Sequence, residues 1–179
     1  MPGFPWGNGR CLMRLLIGAF GTTFNLDLYS VDNRAVGTFG SLITDGSYVG
    51  RRFFRIEPGF IAQAGCPRDS GTDSLVPLFA LSAGEVESSI SAHTGATRGG
   101  VAYSRGTVAL ACKEPYKEYG SQFFVCLADL PELPRIYPVV GRLTGDLSGL
   151  GRVGISPSRN GGQIADPTIS SVEQLDVAV

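Results

Sequence analysis

Short strand-like segments, separated by glycine and proline turns, recur along the whole chain and restrict its fold more than any other feature. Phe24, Leu26 and Leu28 alternate with polar residues, which is the period-two pattern of a half-buried strand. Other short apolar segments follow at FFRIE, FIAQAG, GTVALAC, SQFFVCL, VVGRL and TISSVEQL, between many of the 25 glycines and 11 prolines. This pattern predicts a mainly β chain in a closed or sandwiched architecture.

Helical periodicity is weak by comparison. Val36, Phe39 and Ile43 recur at helical spacing between Asn33, a candidate N-cap, and Gly46, a candidate stop signal, so a short amphipathic helix is predicted there. Residues 66–84 and the HTGATRGG stretch are predicted to be loops because Pro, Ser, Asp and Gly are frequent in them. Strands therefore dominate, with one or two short helices.

Composition indicates one globular domain. The 179 residues are 43% hydrophobic and 17% charged, which suits one domain with a single buried core, and residues 1–10 are interpreted as a tail. A net charge of −1 gives no reason to expect nucleic-acid or membrane-surface binding. No apolar segment is long enough to span a membrane, and the two prolines near the start argue against a signal peptide.

The cysteines favour an intracellular location, in the cytosol or an organelle matrix. Cys11, Cys66, Cys112 and Cys126 are scattered without a C-x-x-C pair. A chain of this size can be stable without disulfides, so free thiols in a reducing compartment are expected. The sequence also lacks an N-x-S/T glycosylation site, which agrees with that location.

The motifs that usually mark a cofactor or a metal are weak. GLGRVG, residues 149–154, matches G-x-G-x-x-G, but too little chain follows it for a βαβ unit, so it is interpreted as a glycine-rich loop or frayed helix. His93 is the only histidine and is predicted to be a solvated loop residue. Neither a metal site nor a cofactor is expected, because the cysteines also lack ligand spacing.

Two segments place polar side chains among aromatic ones. Arg55 lies in the apolar stretch FFRIEPGFIAQAG together with Gln63, and Gln122 precedes a pair of phenylalanines in GSQFFVCL. Residues 55 and 57 share a face of a strand, so Arg55 and Glu57 could form a simple ion pair. Alternatively, Arg55 faces an apolar pocket as one of its few orienting polar groups.

These segments resemble the cyclophilin family. FFRIEPGFIAQAG is similar to its F-H-R-V-I-P-G-F-M-x-Q-G-G motif, RGTVALA and GSQFFVCLAD to its R-G-T-V-A-M-A and G-S-Q-F-F-I motifs, and VVGRL to V-F-G-R-V. The similarity extends over about residues 12–176, which implies a domain with these bounds and tails at residues 1–11 and 177–179. It implies a closed eight-stranded antiparallel β-barrel capped by two short helices. It also implies peptidyl-prolyl cis-trans isomerase activity on X-Pro segments, which assists protein folding and needs no cofactor, with proline-containing peptides or proteins as partners.

The resemblance also implies roles for individual residues. Arg55 would donate a hydrogen bond to the prolyl nitrogen, Gln63 would orient the substrate, and Phe60 would contact the proline ring; these three are the candidate catalytic residues. The candidate substrate-binding residues are Ile61, Ala111, Cys112, Gln122, Phe124, Leu133 and Tyr137. The joint presence of the aromatic and amide positions favours the pocket-facing role of Arg55 over the simple ion pair.

The rim of the groove departs from the family pattern. Ile61 replaces a usual Met, Cys112 replaces Asn, and Tyr137 stands where many members have His. Glu132 aligns with a position that is Trp or Phe in many members, which predicts weak cyclosporin binding. These departures motivate an alternative, in which the fold is a non-enzymatic or weakly active accessory subunit of a larger assembly, for example in an organelle.

Overall fold

The computed structural model describes residues 11–19, 21–29, 34–94, 100–152 and 167–175. Eight strands and three helices alternate along these ranges. They are β1 Cys11–Ala19, β2 Thr22–Tyr29, α1 Arg34–Thr44, β3 Arg55–Ile56, β4 Ile61–Ala64, α2 Ala83–Thr94, β5 Thr107–Cys112, β6 Tyr119–Cys126, β7 Val139–Thr144, α3 Leu147–Arg152 and β8 Ile169–Leu175.

All eight strands form one antiparallel sheet in the order β3-β4-β6-β5-β7-β2-β1-β8. The sheet curls, so that the chain just before β3 approaches β8. Arg52 and Thr168 form an isolated bridge, and the amide of Phe53 donates to the carbonyl of Pro167 at 2.8 Å. The predicted eight-stranded antiparallel barrel is confirmed, but "closed" overstates it, since within the described residues the two ends meet through this bridge rather than a continuous ladder.

The core lies inside the curl and is rich in aromatic side chains. Phe123 of β6 makes edge-on contacts with Phe39, Tyr48 and Phe53 at centroid distances of 5.1, 5.0 and 6.1 Å. Phe39 comes from α1, whose buried face also includes the predicted Val36 and Ile43. The predicted helix is therefore confirmed. Its candidate cap, Asn33, lies outside the described residues.

Helix α2 was not predicted. A capping box starts it: the Ser82 amide donates to the Glu85 carboxylate at 2.7 Å, and the Glu85 amide donates to the Ser82 hydroxyl at 3.1 Å. Such reciprocal bonds satisfy amides that have no partner within the first turn. The buried face of α2 combines Val86 and Ile90 with polar Ser89 and His93, which hides the helical period from a hydrophobicity pattern.

The prediction that His93 is a solvated loop residue is wrong. His93 lies in the last turn of α2, is 1% exposed, and places Nε2 2.9 Å from the Thr107 hydroxyl of β5. Burial, together with the nearby Arg142 guanidinium, lowers its pKa to about 4. The imidazole is therefore neutral at pH 7 and joins the helix to the sheet.

The remaining predictions on chain organisation are only partly covered. The GLGRVG stretch begins in α3, while Val153 and Gly154 lie outside the described residues. The predicted tails also lie outside them, except that β1 begins at Cys11, and the domain boundaries remain a prediction. Across the described part of the chain, no helix combines the length and the apolar character needed to cross a bilayer.

Candidate active site

The sheet register brings the predicted catalytic side chains into one row. Arg55 of β3 lies opposite Gln63 of β4, and Gln63 lies opposite Phe124 of β6. Directly opposed residues of antiparallel strands project to the same side of a sheet. Since Phe123 points into the core, its neighbour Phe124 points to the outer face, where it contacts Tyr137. The row therefore lies on the outside of the barrel.

A surface cavity of about 220 Å³ lies over this row. Its lining consists of nine residues, and all of them were predicted from the sequence to be site residues. They are Arg55, Phe60, Ile61, Gln63, Ala111, Cys112, Phe124, Leu133 and Tyr137. The structure thus assembles residues from four strands and two loops around one opening.

Gln122 is the predicted site residue outside this lining. It lines an adjoining cavity of about 80 Å³, which also has Gln63, Ala111 and Cys112 in its wall. Three of the residues that line the first cavity therefore separate it from the second. The two cavities form one groove across the outer face of β4, β5 and β6.

Arg55 forms the ion pair with Glu57 and also lines the cavity. Its side chain is 45% exposed, and its Nε and Nη2 donate to the same Glu57 carboxylate oxygen at 2.8 and 2.6 Å. Its Nη1 donates to the side-chain carbonyl of Gln63 at 3.5 Å. A guanidinium has five N–H donors, so two remain beyond these three bonds to described residues. The ion pair holds one edge of the group, and the other edge borders the cavity.

Two glutamines fix each other's orientation behind Arg55. The Gln63 amide nitrogen donates to the Gln122 side-chain carbonyl at 2.9 Å, and the Gln122 nitrogen donates to the backbone carbonyl of Asp73 at 2.8 Å. Because the nitrogen of Gln63 is committed to Gln122, its oxygen faces the Arg55 guanidinium. This chain of bonds reaches from the loop that follows β4 to the candidate catalytic cation.

The other cavity walls are apolar or neutral at pH 7. Phe124 and Tyr137 meet edge to face at 5.2 Å and 89°. Burial raises the pKa of the Cys112 thiol to about 11 and also raises the pKa of the Tyr137 phenol. Cys112 is therefore a protonated thiol and not a nucleophile, and Arg55 alone among the nine lining residues carries a formal charge. Such a site can bind an apolar ring and present a hydrogen-bond donor beside it.

The described residues include no cluster of three or more His, Cys, Asp or Glu side chains suited to a metal ion. Cys66, Cys112 and Cys126 are free thiols in the structure. Glu132, the position that predicts weak cyclosporin binding, is exposed beside Leu133 of the cavity wall.

Two buried tyrosines near the site were missed by sequence analysis. The hydroxyl of Tyr103 bonds to the backbone of Tyr137, which lines the cavity, and the hydroxyl of Tyr119 bonds to the backbone of the preceding residue, Ile136. Tyr119 lies in an apolar strand and Tyr103 in a turn before β5, and a buried tyrosine resembles any other core residue in the sequence. Nothing in the pattern of apolar residues shows where its hydroxyl will find a partner.

Comparison with known proteins places these features in a family context. The family model described as "Cyclophilin type peptidyl-prolyl cis-trans isomerase/CLD" matches residues 15–174. A peptidyl-prolyl cis-trans isomerase of Helicobacter pylori is 34% identical over 120 residues, which cover 66% of this chain and 65% of the relative. The chain thus spans slightly less than two thirds of the length of that relative.

Other relatives differ in overall size. Peptidyl-prolyl cis-trans isomerase B of Bacillus subtilis is 31% identical over 112 residues, covering 63% of this chain and 68% of the relative. A spliceosome-associated protein CWC27 homolog of Danio rerio is 30% identical over 143 residues, covering 79% of this chain but 27% of the relative.

Solved structures share the fold. The cyclophilin-type peptidyl-prolyl cis-trans isomerase of Cryptosporidium parvum superimposes with a TM-score of 0.67 at 20% identity, covering 93% of this chain and 99% of that one. A second structure of the same protein, in the presence of the dipeptide Ala-Pro, gives a TM-score of 0.66.

Proposed function

The chain belongs to the cyclophilin-type peptidyl-prolyl cis-trans isomerase family, and on that basis we propose that it catalyses cis-trans isomerisation of X-Pro peptide bonds in peptides and proteins. The proposed catalytic domain spans residues 12–176. Arg55 is the electrophilic donor, Gln63 orients it and the substrate, and Phe60 contacts the proline ring. The residues that bind the substrate are Ile61, Ala111, Cys112, Gln122, Phe124, Leu133 and Tyr137.

The chemistry requires a donor rather than a nucleophile. A peptide bond resists rotation because the nitrogen lone pair is delocalised into the carbonyl, with a barrier of about 18–20 kcal/mol. For X-Pro bonds the two isomers lie close in energy. Without a catalyst, however, they take roughly tens to hundreds of seconds to interconvert. In the twisted transition state the lone pair returns to the prolyl nitrogen. A donor that meets this lone pair stabilises the transition state more than either ground state.

The cavity supplies both parts of this reaction. Phe60, Phe124 and Leu133 provide apolar contact for a pyrrolidine ring, and the guanidinium of Arg55 lies on the same lining. The volume of about 220 Å³ is below the roughly 300–1,000 Å³ of sites for drug-sized ligands. It therefore suits one residue of a longer peptide, whose neighbouring residues extend along the groove toward Gln122.

Pre-organisation of the donor supports the same proposal. Gln63 and Glu57 together engage three N–H groups of Arg55, so the side chain loses less conformational freedom in the transition state than a free arginine would. Backbone atoms of Ala111 and Cys112, at the end of β5, are proposed to bind the peptide backbone. The thiol of Cys112 takes no part in bond making.

The observation that carries the proposal is the row Arg55–Gln63–Phe124 beneath an apolar cavity. The test is isomerisation of a short X-Pro peptide, measured with the purified protein and with Arg55→Ala. We expect turnover in the unmutated protein and a large loss in the variant. Absence of measurable turnover in the unmutated protein would overturn the proposal.

A second function has one observation in its favour. The CWC27 homolog of Danio rerio matches 79% of this chain within a much longer protein named as spliceosome-associated. We therefore keep the proposal that the domain binds proline-containing segments as a subunit of a larger assembly, with little turnover. Size-exclusion chromatography of native extract, with detection of this chain, distinguishes the two. Elution at the mass of the free chain contradicts the subunit role.

A further inference from the structure

Residues 131–138, here called the wall segment, form one side of the proposed proline cavity. The segment is the second part of the connection between β6 and β7 and supplies Leu133 and Tyr137 to the lining. It belongs to no strand, so the sheet ladder does not hold its backbone between its ends. Its position must come from other contacts, and two of these are hydroxyl groups of buried tyrosines.

Tyr119, the first residue of β6, links the wall segment to the loop between β5 and β6 through one hydroxyl. The residue is 0% exposed. Its hydroxyl donates to the backbone carbonyl of Ile136 at 2.7 Å and accepts from the backbone amide of Tyr116 at 3.0 Å. Ile136 lies in the wall segment, whereas Tyr116 lies in the loop between β5 and β6. This loop follows Cys112, which lines both cavities.

Tyr103 holds the next residue of the wall segment in the same manner. It is also 0% exposed, and its hydroxyl donates to the carbonyl of Tyr137 at 2.9 Å while accepting from the amide of Tyr137 at 3.1 Å. Both backbone groups of one lining residue thus bond to one hydroxyl. The two rings also meet edge-on, with centroids 6.2 Å apart.

The geometry points to Tyr119 and Tyr103 as positioning residues that set the width of the proline cavity through the backbone of Ile136 and Tyr137. This inference rests on the proposed function and specifies how the site obtains its affinity for an X-Pro segment. The ring of Tyr137 packs edge-on against Phe124 at 5.2 Å. A shift of the Tyr137 backbone therefore moves its ring relative to Phe124 and changes the width of the cavity. Neither tyrosine contacts Arg55, which is anchored by Glu57 and Gln63 on β3 and β4.

Loss of a hydroxyl should therefore change binding more than the chemical step. In Tyr119→Phe the ring still fills its place, but the Ile136 carbonyl loses its donor and the wall segment gains freedom. We expect KM, and Kd for an Ala-Pro-containing peptide, to rise about three- to tenfold, the factor of one neutral hydrogen bond. The kcat should stay within about twofold, which is the pattern for loss of an interaction shared by ground and transition states.

A matched control separates this role from general stability. Tyr48 is 0% exposed, and its hydroxyl donates to the backbone carbonyl of Ser121 at 2.7 Å. Neither residue lines the proline cavity, although Ser121 lines the adjoining one. Tyr48→Phe removes the same kind of bond as Tyr119→Phe. Each of these two variants should lower Tm by about 2–4 °C. Only Tyr119→Phe and Tyr103→Phe should raise Kd and KM. Tyr119 and Tyr103 both act on the wall segment. The changes in Kd and KM caused by Tyr119→Phe and Tyr103→Phe should therefore not be additive in the double variant.

The experiment measures Kd by calorimetry and turnover separately, so that two failures can be told apart. Absent turnover, with a Kd that shifts as expected, rejects the proposed isomerase function and keeps the positioning role. Normal turnover with unchanged Kd and KM in Tyr119→Phe and Tyr103→Phe rejects the positioning role alone. The same conclusion follows if Tyr48→Phe raises Kd and KM as much as these two variants do. Unmutated protein that binds no proline peptide overturns both. Failure of both variants to fold also overturns the inference, since the hydroxyls would then serve the fold.

Discussion

Arg55→Ala is the most direct perturbation of the proposed mechanism. The variant removes the donor but leaves the apolar lining in place. A hydrogen bond to a charged group contributes about 1.5–3 kcal/mol, and about 1.36 kcal/mol corresponds to tenfold in rate. We therefore expect kcat/KM to fall about 10- to 150-fold. The side chain is 45% exposed, so a loss near 4 kcal/mol, the upper end of the roughly 2.7–4 kcal/mol measured for enclosed donors, is not expected.

Stability should hardly change in the same variant. The Arg55–Glu57 pair lies at the surface, with side chains 45% and 48% exposed, and such pairs contribute about 0.2–1 kcal/mol. For a domain of this size the corresponding loss in Tm is about 4 °C or less. Activity and stability are thus predicted to separate. NMR exchange between the cis and trans signals of an X-Pro peptide measures the first, and thermal unfolding measures the second.

Glu57→Gln is the decisive control, because it breaks the same ion pair while keeping the guanidinium. Its kcat/KM should stay within about threefold of the unmutated protein, and its Tm should change as little as that of Arg55→Ala. If Glu57→Gln lost as much activity as Arg55→Ala, the ion pair rather than the donor would be what matters, and the reasoning would be refuted.

Three further predictions concern other positions. Gln122→Leu removes the acceptor that holds the Gln63 amide, so kcat should fall severalfold with little change in Tm; unchanged kcat in the peptide assay would show that the orientation of Gln63 is not used. The pKa of His93 is about 4 in the folded state against roughly 6.5 when exposed, so the unfolded chain binds more protons between these values. Stability should therefore decrease by up to about 3 kcal/mol as pH falls from about 6.5 to 4, and urea unfolding across this range should show a smaller dependence in His93→Asn. Cyclosporin should inhibit turnover weakly, and Glu132→Trp should lower the inhibitory concentration; strong inhibition of the unmutated protein contradicts this interpretation of Glu132.

The family motifs identified the candidate site well before any contact was known. Nine of the ten predicted site residues, all but Gln122, line one cavity. Their order along the chain carried that information, since Arg55 and Gln63 stand in one motif and Phe124 in another. Gln122 lines the adjoining cavity of the groove, and its side-chain carbonyl accepts a hydrogen bond from Gln63.

The failure to predict helix α2 and the wrong prediction for His93 have a common physical origin. His93 is polar, and the face of α2 to which it belongs also buries Ser89, so the pattern of apolar residues gave no sign of a buried helix. Burial of these groups is possible because each finds a partner: Ser89 donates to the carbonyl of Val86 and accepts from the amide of Val139. A polar residue is buried when the fold supplies its hydrogen bonds, and one of the partners of Ser89, Val139, comes from a distant part of the chain.

The local sequence by itself determined the strands, helix α1 and the faces they bury, because alternation and helical periodicity depend on neighbouring residues alone. It also determined the chemical types available to the site. Only the tertiary structure decided which of those types meet. Sheet register placed Arg55, Gln63 and Phe124 in one row, and tertiary packing brought the hydroxyls of Tyr103 and Tyr119 to the wall segment. Arg55 was left with two alternatives by the sequence, and the fold satisfies both, since a guanidinium has enough donors for Glu57 on one edge and the cavity on the other.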